Sequence, residues 1–157
     1  MIKVIIFDLD GVLVNTKNIH FEALNNALKK NNIDEISYEE HLKIYDGLPT
    51  KEKLKLISRK FKFSNKKKLK IQSDKNKITS KILNKNIKYR KSIQKLFVSL
   101  SKKYKIVVAT NAIRNTLNIC LKKLKIDKYV NFKVCNENVI NPKPNPEIYF
   151  KTFIKYG

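Results

Sequence analysis

The chain has 157 residues, of which 35 are basic and 13 acidic, and 42% of its residues are hydrophobic. This length and composition are typical of a globular domain with a real core, and they exclude global disorder. No apolar run approaches the roughly 20 residues of a membrane-spanning helix, and no signal-like segment opens the chain. We therefore expect a cytoplasmic protein without a membrane partner.

The positive charge is concentrated in the middle of the chain. Residues 51–91 contain 15 Lys and two Arg, against only Glu52 and Asp74. One interpretation is a phosphate-binding helical surface; the other, which we favour, is a solvated lysine-rich face. Proteins that recognise specific base sequences favour Arg for its bidentate contacts, and the whole chain contains three Arg residues. We therefore predict no specific nucleic-acid partner.

The first half of the chain is predicted to contain one strand followed by helices. KVIIF, at residues 3–7, is short, β-branched and followed by a glycine turn, as expected of a buried strand. Apolar residues at helical spacing predict a helix over residues 17–31. SYEE, at residues 37–40, predicts a second helix that ends near Asp46. Thr50 is expected to cap a third helix, and the lysine-rich segment that follows should form one or two more.

Strands and helices alternate in the second half. A helical stripe over residues 93–100 precedes a second buried strand, KIVVA, at residues 105–109. A helix is predicted over residues 114–124, and a third strand, NFKVC, over residues 131–135. Asn145, followed by proline, is expected to cap a final helix. This alternation predicts a parallel α/β sheet.

Two carboxylates follow the first strand. Asp8 and Asp10 lie two residues apart, so both can point into one pocket at the carboxyl end of the strand, where open parallel sheets bind ligands. Two carboxylates this close repel each other unless they bind a cation or share a proton, and Mg²⁺ is a suitable cation. Gly11 permits a tight turn and a close approach to an anion. A calcium-binding loop is excluded, because Leu13 stands where that loop needs glycine.

Polar residues also follow the later strands. Thr110 and Asn111 end VVATN, at the predicted sheet edge of Asp8, and can donate to phosphate oxygens. Lys143 lies between two prolines in NPKPNPEIY, where a stiff loop would hold its charge for a phosphate. Each of these patterns is weak by itself, since turns and surface lysines are common.

Together, FDLDGVLVNT, VVATN and KPNPEIY resemble the first three motifs of the haloacid dehalogenase-like hydrolases. The similarity is greatest to the subgroup of β-phosphoglucomutases and small-phosphate phosphatases. It implies an α/β fold, an incomplete doubly wound, Rossmann-like parallel sheet with an inserted helical cap. The expected catalytic core comprises residues 1–16 and 90–157, and the expected cap comprises residues 17–89.

The resemblance also implies roles for individual residues. Asp8 would be the nucleophile that forms an aspartyl phosphate, and Asp10 the general acid and base. Thr110 and Lys143 would hold the phosphoryl group, with Gly11 and Asn111 beside it. Mg²⁺ would be bound by Asp8 and the backbone carbonyl of Asp10. The implied function is Mg²⁺-dependent hydrolysis of a small phosphorylated metabolite.

The chain departs from the family pattern in two places. Asn15 stands where the family usually has Asp, and the chain ends at Gly157, before the acidic pair of the fourth motif. We therefore expect a truncated chain, and an inactive fragment or remnant of such an enzyme is the alternative function. A sugar phosphomutase and a basic nucleic-acid-binding protein are the remaining alternatives.

The cap segment offers weaker candidates for substrate contact. NIHFEALNNAL contains His20, which stands where the mutase-like subgroup often has a histidine near the cap hinge. A surface histidine on a helix is the alternative. DGLPTKEKL resembles a substrate-specificity turn, which implies that Thr50 or Lys51 contacts the substrate.

Overall fold

The structure, a computed structural model, describes residues 2–156 and divides into two units. One unit comprises Met1–Thr16 and Leu83–Gly157, and the other comprises Lys17–Ile82. The strands are β1 (Val4–Phe7), β2 (Lys105–Ala109) and β3 (Phe132–Val134). The helices are α1 (Lys17–Lys30), α2 (Tyr38–Glu40), α3 (Thr50–Phe61), α4 (Asn65–Asn86), α5 (Lys91–Ser101), α6 (Arg114–Lys123) and α7 (Glu147–Tyr156). Among these described elements, none of the helices is long and apolar enough to cross a bilayer.

The sheet is parallel throughout and has the strand order β1–β2–β3. Phe7 is in register with Val108, so the residues after β1 and β2 emerge at the same edge. The central strand β2 is buried from Ile106 to Ala109, whereas every residue of β1 is only partly buried. The predicted parallel α/β sheet, with its three strands, is confirmed.

Helices cover both faces of the sheet. On one face, Val107 and Ala109 of β2 form a buried cluster with Val134 and with Ile148 of α7. On the other face, the ring of Phe97 from α5 lies 4.8 Å from the ring of Phe7, centre to centre. Alternate residues of a strand point to opposite faces, so one apolar strand contributes buried side chains to the helix contacts on both faces of the sheet. This arrangement is the doubly wound, Rossmann-like architecture predicted from the sequence.

The second unit is entirely helical in its regular structure and has its own core. The buried members of this core come from α1, α3, α4 and the segments between them: Leu24, Ala27, Leu28, Ile36, Tyr45, Leu54, Ile57 and Ile71. Helix α2 continues into a π-helical turn, His41–Tyr45, which ends at Asp46 as predicted. Helix α4 is a single helix of 22 residues.

The structure confirms the helix cap predicted at Asn145 but not the one predicted at Thr50. Oδ1 of Asn145 accepts the backbone N–H of Glu147 at 2.9 Å, at the start of α7. The prediction for Thr50 is wrong, because Pro49 occupies the capping position of α3 and Thr50 is the first helical residue. The hydroxyl of Thr50 instead accepts a hydrogen bond from Nζ of Lys75, at 3.1 Å.

Candidate active site

Asp8 follows β1 directly, and its two carboxylate oxygens have different surroundings. Oδ1 accepts the backbone N–H of Leu9 at 2.7 Å and lies 3.2 Å from Nζ of Lys143. Within residues 2–156, no hydrogen bond reaches Oδ2, and the side chain is 42% exposed. One oxygen is therefore fixed by two nitrogen donors, while the other remains open to a ligand.

Three groups fix the ammonium group of Lys143. Its Nζ donates to the carbonyl oxygen of Ala109 at 2.8 Å, contacts Asp8, and lies 5.4 Å from the ring centre of Tyr149. The side chain is only 17% exposed. Because Ala109 ends β2 and Asp8 follows β1, Lys143 lies at the carboxyl edge of both strands. The sequence prediction that Asp8 and Lys143 meet at one edge is confirmed.

Asn111 holds the loop that carries Lys143. Its Oδ1 accepts the backbone N–H of Lys143 at 2.9 Å, and its Nδ2 donates to the carbonyl oxygen of Lys143 at 3.0 Å. Sequence reasoning treated Asn111 as a donor to phosphate. Both ends of its amide bind the backbone of Lys143, so Asn111 positions that lysine, and the second N–H of Nδ2 can still be donated to an anion.

Thr110 is fully buried at the end of β2. Its backbone N–H donates to the carbonyl oxygen of Val134 at 3.0 Å, which continues the β2–β3 pairing beyond Ala109. Its hydroxyl oxygen accepts the N–H of Ala112 at 3.0 Å. That bond uses a lone pair, so the hydroxyl proton can still be donated to an anion.

The loop after Asp8 folds back on itself and orients Asp10. Gly11 has a φ of 80°, and its N–H donates to the carbonyl oxygen of Val14 at 2.7 Å. This N–H is therefore engaged within the turn, and what Gly11 supplies is the left-handed conformation that glycine adopts without strain. The hydroxyl of Thr16, which is 1% exposed, donates to Oδ1 of Asp10.

The acids at this edge fit a magnesium ion. Across residues 2–156, no group of three or more His, Cys, Asp or Glu side chains is arranged to hold a metal ion. Mg²⁺ needs no such group, because it keeps several waters and is bound by one or two carboxylates together with substrate phosphate. The carboxylate of Asp8 and the backbone carbonyl oxygen of Asp10 are hard oxygen donors of the required type.

The helical unit contains a second polar cluster, centred on His20. Burial, reinforced by the charges of Lys75 and Lys53, lowers the pKa of His20 to about 3. Its Nδ1 is buried and has no hydrogen-bond partner among residues 2–156. Lys75 is 9% exposed and donates to Thr50, while burial lowers the pKa of Lys53. This cluster presents a neutral imidazole and two lysines, which suit a polar or anionic group.

Sequence reasoning found part of this cluster. It selected His20 and Thr50, which belong to the cluster, and Lys51, which is exposed on α3. It missed Lys53 and Lys75. Lys75 carries a signal in the sequence, because it interrupts the apolar face that Ile71 and Ile78 define at helical spacing. A lysine on an apolar face is costly to bury unless it has a partner or a task.

A family model described as haloacid dehalogenase-like hydrolase matches residues 5–157 of this chain. The chain belongs to the haloacid dehalogenase-like hydrolases. The protein is accordingly an enzyme of the hydrolase class. Within the family, it is 30% identical over 151 residues to the phosphorylated carbohydrates phosphatase of Thermotoga maritima. That alignment covers 94% of this chain and 67% of the relative.

Solved structures of haloacid dehalogenase-like proteins have the same fold. CbbY from Rhodobacter sphaeroides, in complex with xylulose-(1,5)bisphosphate, matches with a TM-score of 0.86 at 20% identity. The match covers 99% of this chain and 72% of that one. β-Phosphoglucomutase from Clostridium difficile matches with a TM-score of 0.73 at 29% identity, covering 96% of this chain and 69% of that one.

Proposed function

We propose that this protein is a Mg²⁺-dependent phosphatase that forms an aspartyl phosphate on Asp8. The observation that carries the proposal is the asymmetry of Asp8, whose Oδ1 is fixed by Leu9 and Lys143 while its Oδ2 is open. A carboxylate held in this way presents one oxygen in a defined direction as a nucleophile. The Thermotoga maritima relative is named for phosphorylated carbohydrates, and we propose a small phosphorylated metabolite of that class as the substrate.

The first proposed step transfers the phosphoryl group to the enzyme. Oδ2 of Asp8 attacks phosphorus, and the bond between phosphorus and the alcohol oxygen of the substrate breaks. Asp10 donates a proton to that oxygen, so the alcohol leaves neutral. The bond from Thr16 to Asp10 keeps the carboxyl group oriented for this transfer.

The second proposed step returns the enzyme to its starting state. Asp10, now a carboxylate, takes a proton from water as the water oxygen attacks phosphorus. The bond between phosphorus and Asp8 breaks, inorganic phosphate leaves, and Asp8 is again a carboxylate. Asp10 holds the proton needed for the next cycle, so protons balance over the two steps.

Positive charge and hydrogen-bond donors at the sheet edge support both steps. Lys143 and the hydroxyl of Thr110 would hold oxygens of the transferring group, with Gly11 shaping the loop beside them. Mg²⁺, when bound by Asp8 and the backbone carbonyl of Asp10, supplies further neutralisation of phosphate charge. Asn111 contributes by fixing the backbone of Lys143.

We also propose that the helical unit acts as a cap that recognises the organic part of the substrate. His20 and Thr50 would contact hydroxyl groups, and Lys51 is a further candidate on α3. The buried Lys75 and the partly buried Lys53 would attract an anionic group. The low pKa of His20 supports a neutral imidazole in this role at physiological pH.

The test is phosphate release by the purified chain on a panel of phosphorylated sugars, with Mg²⁺ and after its removal by a chelator. We expect Mg²⁺-dependent release in the wild type and none in Asp8→Asn. Asp34→Asn, at an exposed position in the helical unit, is the matched control and should leave release unchanged. Mass spectrometry of quenched enzyme should find the phosphoryl group on Asp8. Release that survives Asp8→Asn would contradict the mechanism.

A phosphomutase is the second candidate, favoured by the 29% identity to the Clostridium difficile β-phosphoglucomutase. A mutase returns the phosphoryl group of Asp8 to a second sugar hydroxyl instead of to water. Interconversion of hexose 1-phosphate and hexose 6-phosphate, measured beside phosphate release, separates the two functions. If neither activity nor labelling of Asp8 is found, the chain is a non-catalytic relative.

A further inference from the structure

Helix α4 carries a row of exposed lysines along one face. The row consists of Lys66, Lys70, Lys77 and Lys81, all exposed, with the exposed Ser73 in the gap. At 100° per residue these lysines fall within about 60° of the helix circumference, and they extend over about 22 Å of its length. We call this set the α4 lysine row.

The α4 lysine row has no acidic partner in the structure. Across residues 2–156, none of its four lysines lies within ion-pair distance of a carboxylate, and the two acids of residues 51–91 have other partners. Asp74 is buried and bound by Lys30 at 2.6 Å and by Asn31 at 2.9 Å. Glu52 is paired with Lys55. Asp74 interacts electrostatically with Lys70, but no member of the row has a direct ion pair within residues 2–156, so the row is a linear array of positive charge.

A lipid membrane is a poor binding partner for the α4 lysine row, because of the other faces of the helix. A helix that lies on a membrane buries an apolar face in lipid. The apolar face of α4 is already used, since Ile71 is fully buried in the core of the helical unit and Ile78 packs against that core. Among the described residues, Leu69 is the one large apolar side chain of α4 that is exposed. A water-soluble polyanion fits this surface better than a bilayer.

We propose that the α4 lysine row binds the sugar–phosphate backbone of nucleic acid without reading its bases. Since a duplex carries one phosphate per strand for about 3.4 Å of its axis, the row extends along about six base pairs. Lysine is a point charge suited to phosphate, whereas base readout relies on bidentate Arg, Asn or Gln side chains. The four lysines supply position and charge and no sequence information. This binding is separate from the phosphatase function and can succeed or fail independently of it.

The test measures binding of the full chain to fluorescent 20-nucleotide probes of random sequence, as single strand and as duplex, by anisotropy over a range of salt. One variant combines Lys66→Gln, Lys70→Gln, Lys77→Gln and Lys81→Gln. The control combines Lys95→Gln, Lys102→Gln, Lys103→Gln and Lys122→Gln, at exposed positions of the other unit, and removes the same charge. Circular dichroism and thermal unfolding confirm that both variants fold, as expected for exposed Lys→Gln changes in helices.

We expect the row variant to lose at least tenfold in affinity at low salt, and the control to lose less than threefold. The slope of log affinity against log salt should become shallower by about 3 to 4 in the row variant, because about one counterion is released for each phosphate neutralised. Equal losses in both variants would show that net charge alone drives binding and would overturn the proposal. Binding to vesicles of phosphatidylserine and phosphatidylcholine, without binding to the probes, would overturn it as well.

Discussion

Nζ of Lys143 lies 3.2 Å from Oδ1 of Asp8 while it donates to the carbonyl oxygen of Ala109 at 2.8 Å. The lysine is therefore anchored to the end of β2 and to the proposed nucleophile at once. A cation fixed in advance costs little reorganisation when charge develops on a phosphoryl group. The contact between Lys143 and Asp8 is therefore the geometric basis for proposing phosphoryl transfer at this edge of the sheet.

Replacing Lys143 tests that relationship directly. Lys143→Met keeps most of the unbranched side chain and removes its charge, so we expect kcat/KM for a sugar phosphate to fall by about 100- to 1,000-fold. Lys143→Arg should not restore activity, because a planar guanidinium cannot occupy the position of a compact ammonium group. Lys151→Met, at an exposed position on α7, is the control and should stay within about twofold. Steady-state kinetics with Mg²⁺ measures all three, and a Lys143→Met enzyme of normal activity would refute the role.

Asn111 should act through Lys143. Asn111→Ala removes two hydrogen bonds to the backbone of Lys143, so we expect a loss of about 1–3 kcal/mol in the free energy of unfolding and a lower kcat. Because the effect on kcat depends on the lysine, adding Asn111→Ala to Lys143→Met should lower kcat little further. Denaturant unfolding and kinetics of the single and double variants check this. Independent, multiplicative losses in kcat would show that Asn111 does not work by placing Lys143.

Thr16 should matter most when the leaving group needs a proton. Thr16→Val removes the hydrogen bond to Asp10, which is the proposed acid. We therefore expect a larger fall in kcat with a sugar phosphate than with p-nitrophenyl phosphate, whose leaving group departs without protonation. Thr152→Val is the control, since its buried hydroxyl has no partner among residues 2–156 and its loss should not lower activity. Equal losses on the two substrates would indicate a purely structural role for Thr16.

His20, whose Nδ1 atom is buried, should make stability depend on pH. Its pKa in the folded protein, about 3, lies below the ordinary value of 6.5. Between those values the unfolded chain binds the proton and the folded chain does not. The free energy of unfolding should therefore fall as pH drops, with a slope of up to about 1.4 kcal/mol per pH unit.

The contribution of His20 can be isolated by comparison with His20→Gln. Denaturant unfolding at about pH 7 and about pH 5 should show a smaller loss for the variant, because glutamine does not take up a proton. His41, whose pKa is also lowered by burial, contributes in the same direction in both proteins and cancels in the comparison. Equal pH dependence in the two proteins would contradict the burial of a neutral His20.

Local patterns in the sequence were sufficient to predict the architecture of the sheet. KVIIF and KIVVA are short β-branched runs with turns after them, and the structure has strands at Val4–Phe7 and Lys105–Ala109. Parallel pairing then follows from the helices between strands, and it brings Asp8 and Thr110 to one edge. These predictions depend on residues that are close together in the sequence, which is why the structure confirms them.

Contacts between residues far apart in the sequence could not be predicted in the same way. Thr50 has the side chain of a helix cap, but Pro49 takes that position and Lys75 takes the hydroxyl. Asn111 has the side chain of a phosphate donor, but the backbone of Lys143 occupies both ends of its amide. Lys75 and Lys143 each lie more than 20 residues from the side chain that they contact, and helical or strand periodicity carries no information about such partners.

The one-sided pairing of β1 has a consequence for local opening. Among the described residues, β1 pairs only with β2, and each of its residues from Val4 to Phe7 is partly exposed. Backbone amides of β1 should therefore exchange with deuterium faster than those of Ile106 to Ala109. The segment that carries Asp8 would then open before the central strand does, so the internal bonds of the Gly11 turn and the contact with Lys143 hold the carboxylate in place between such openings.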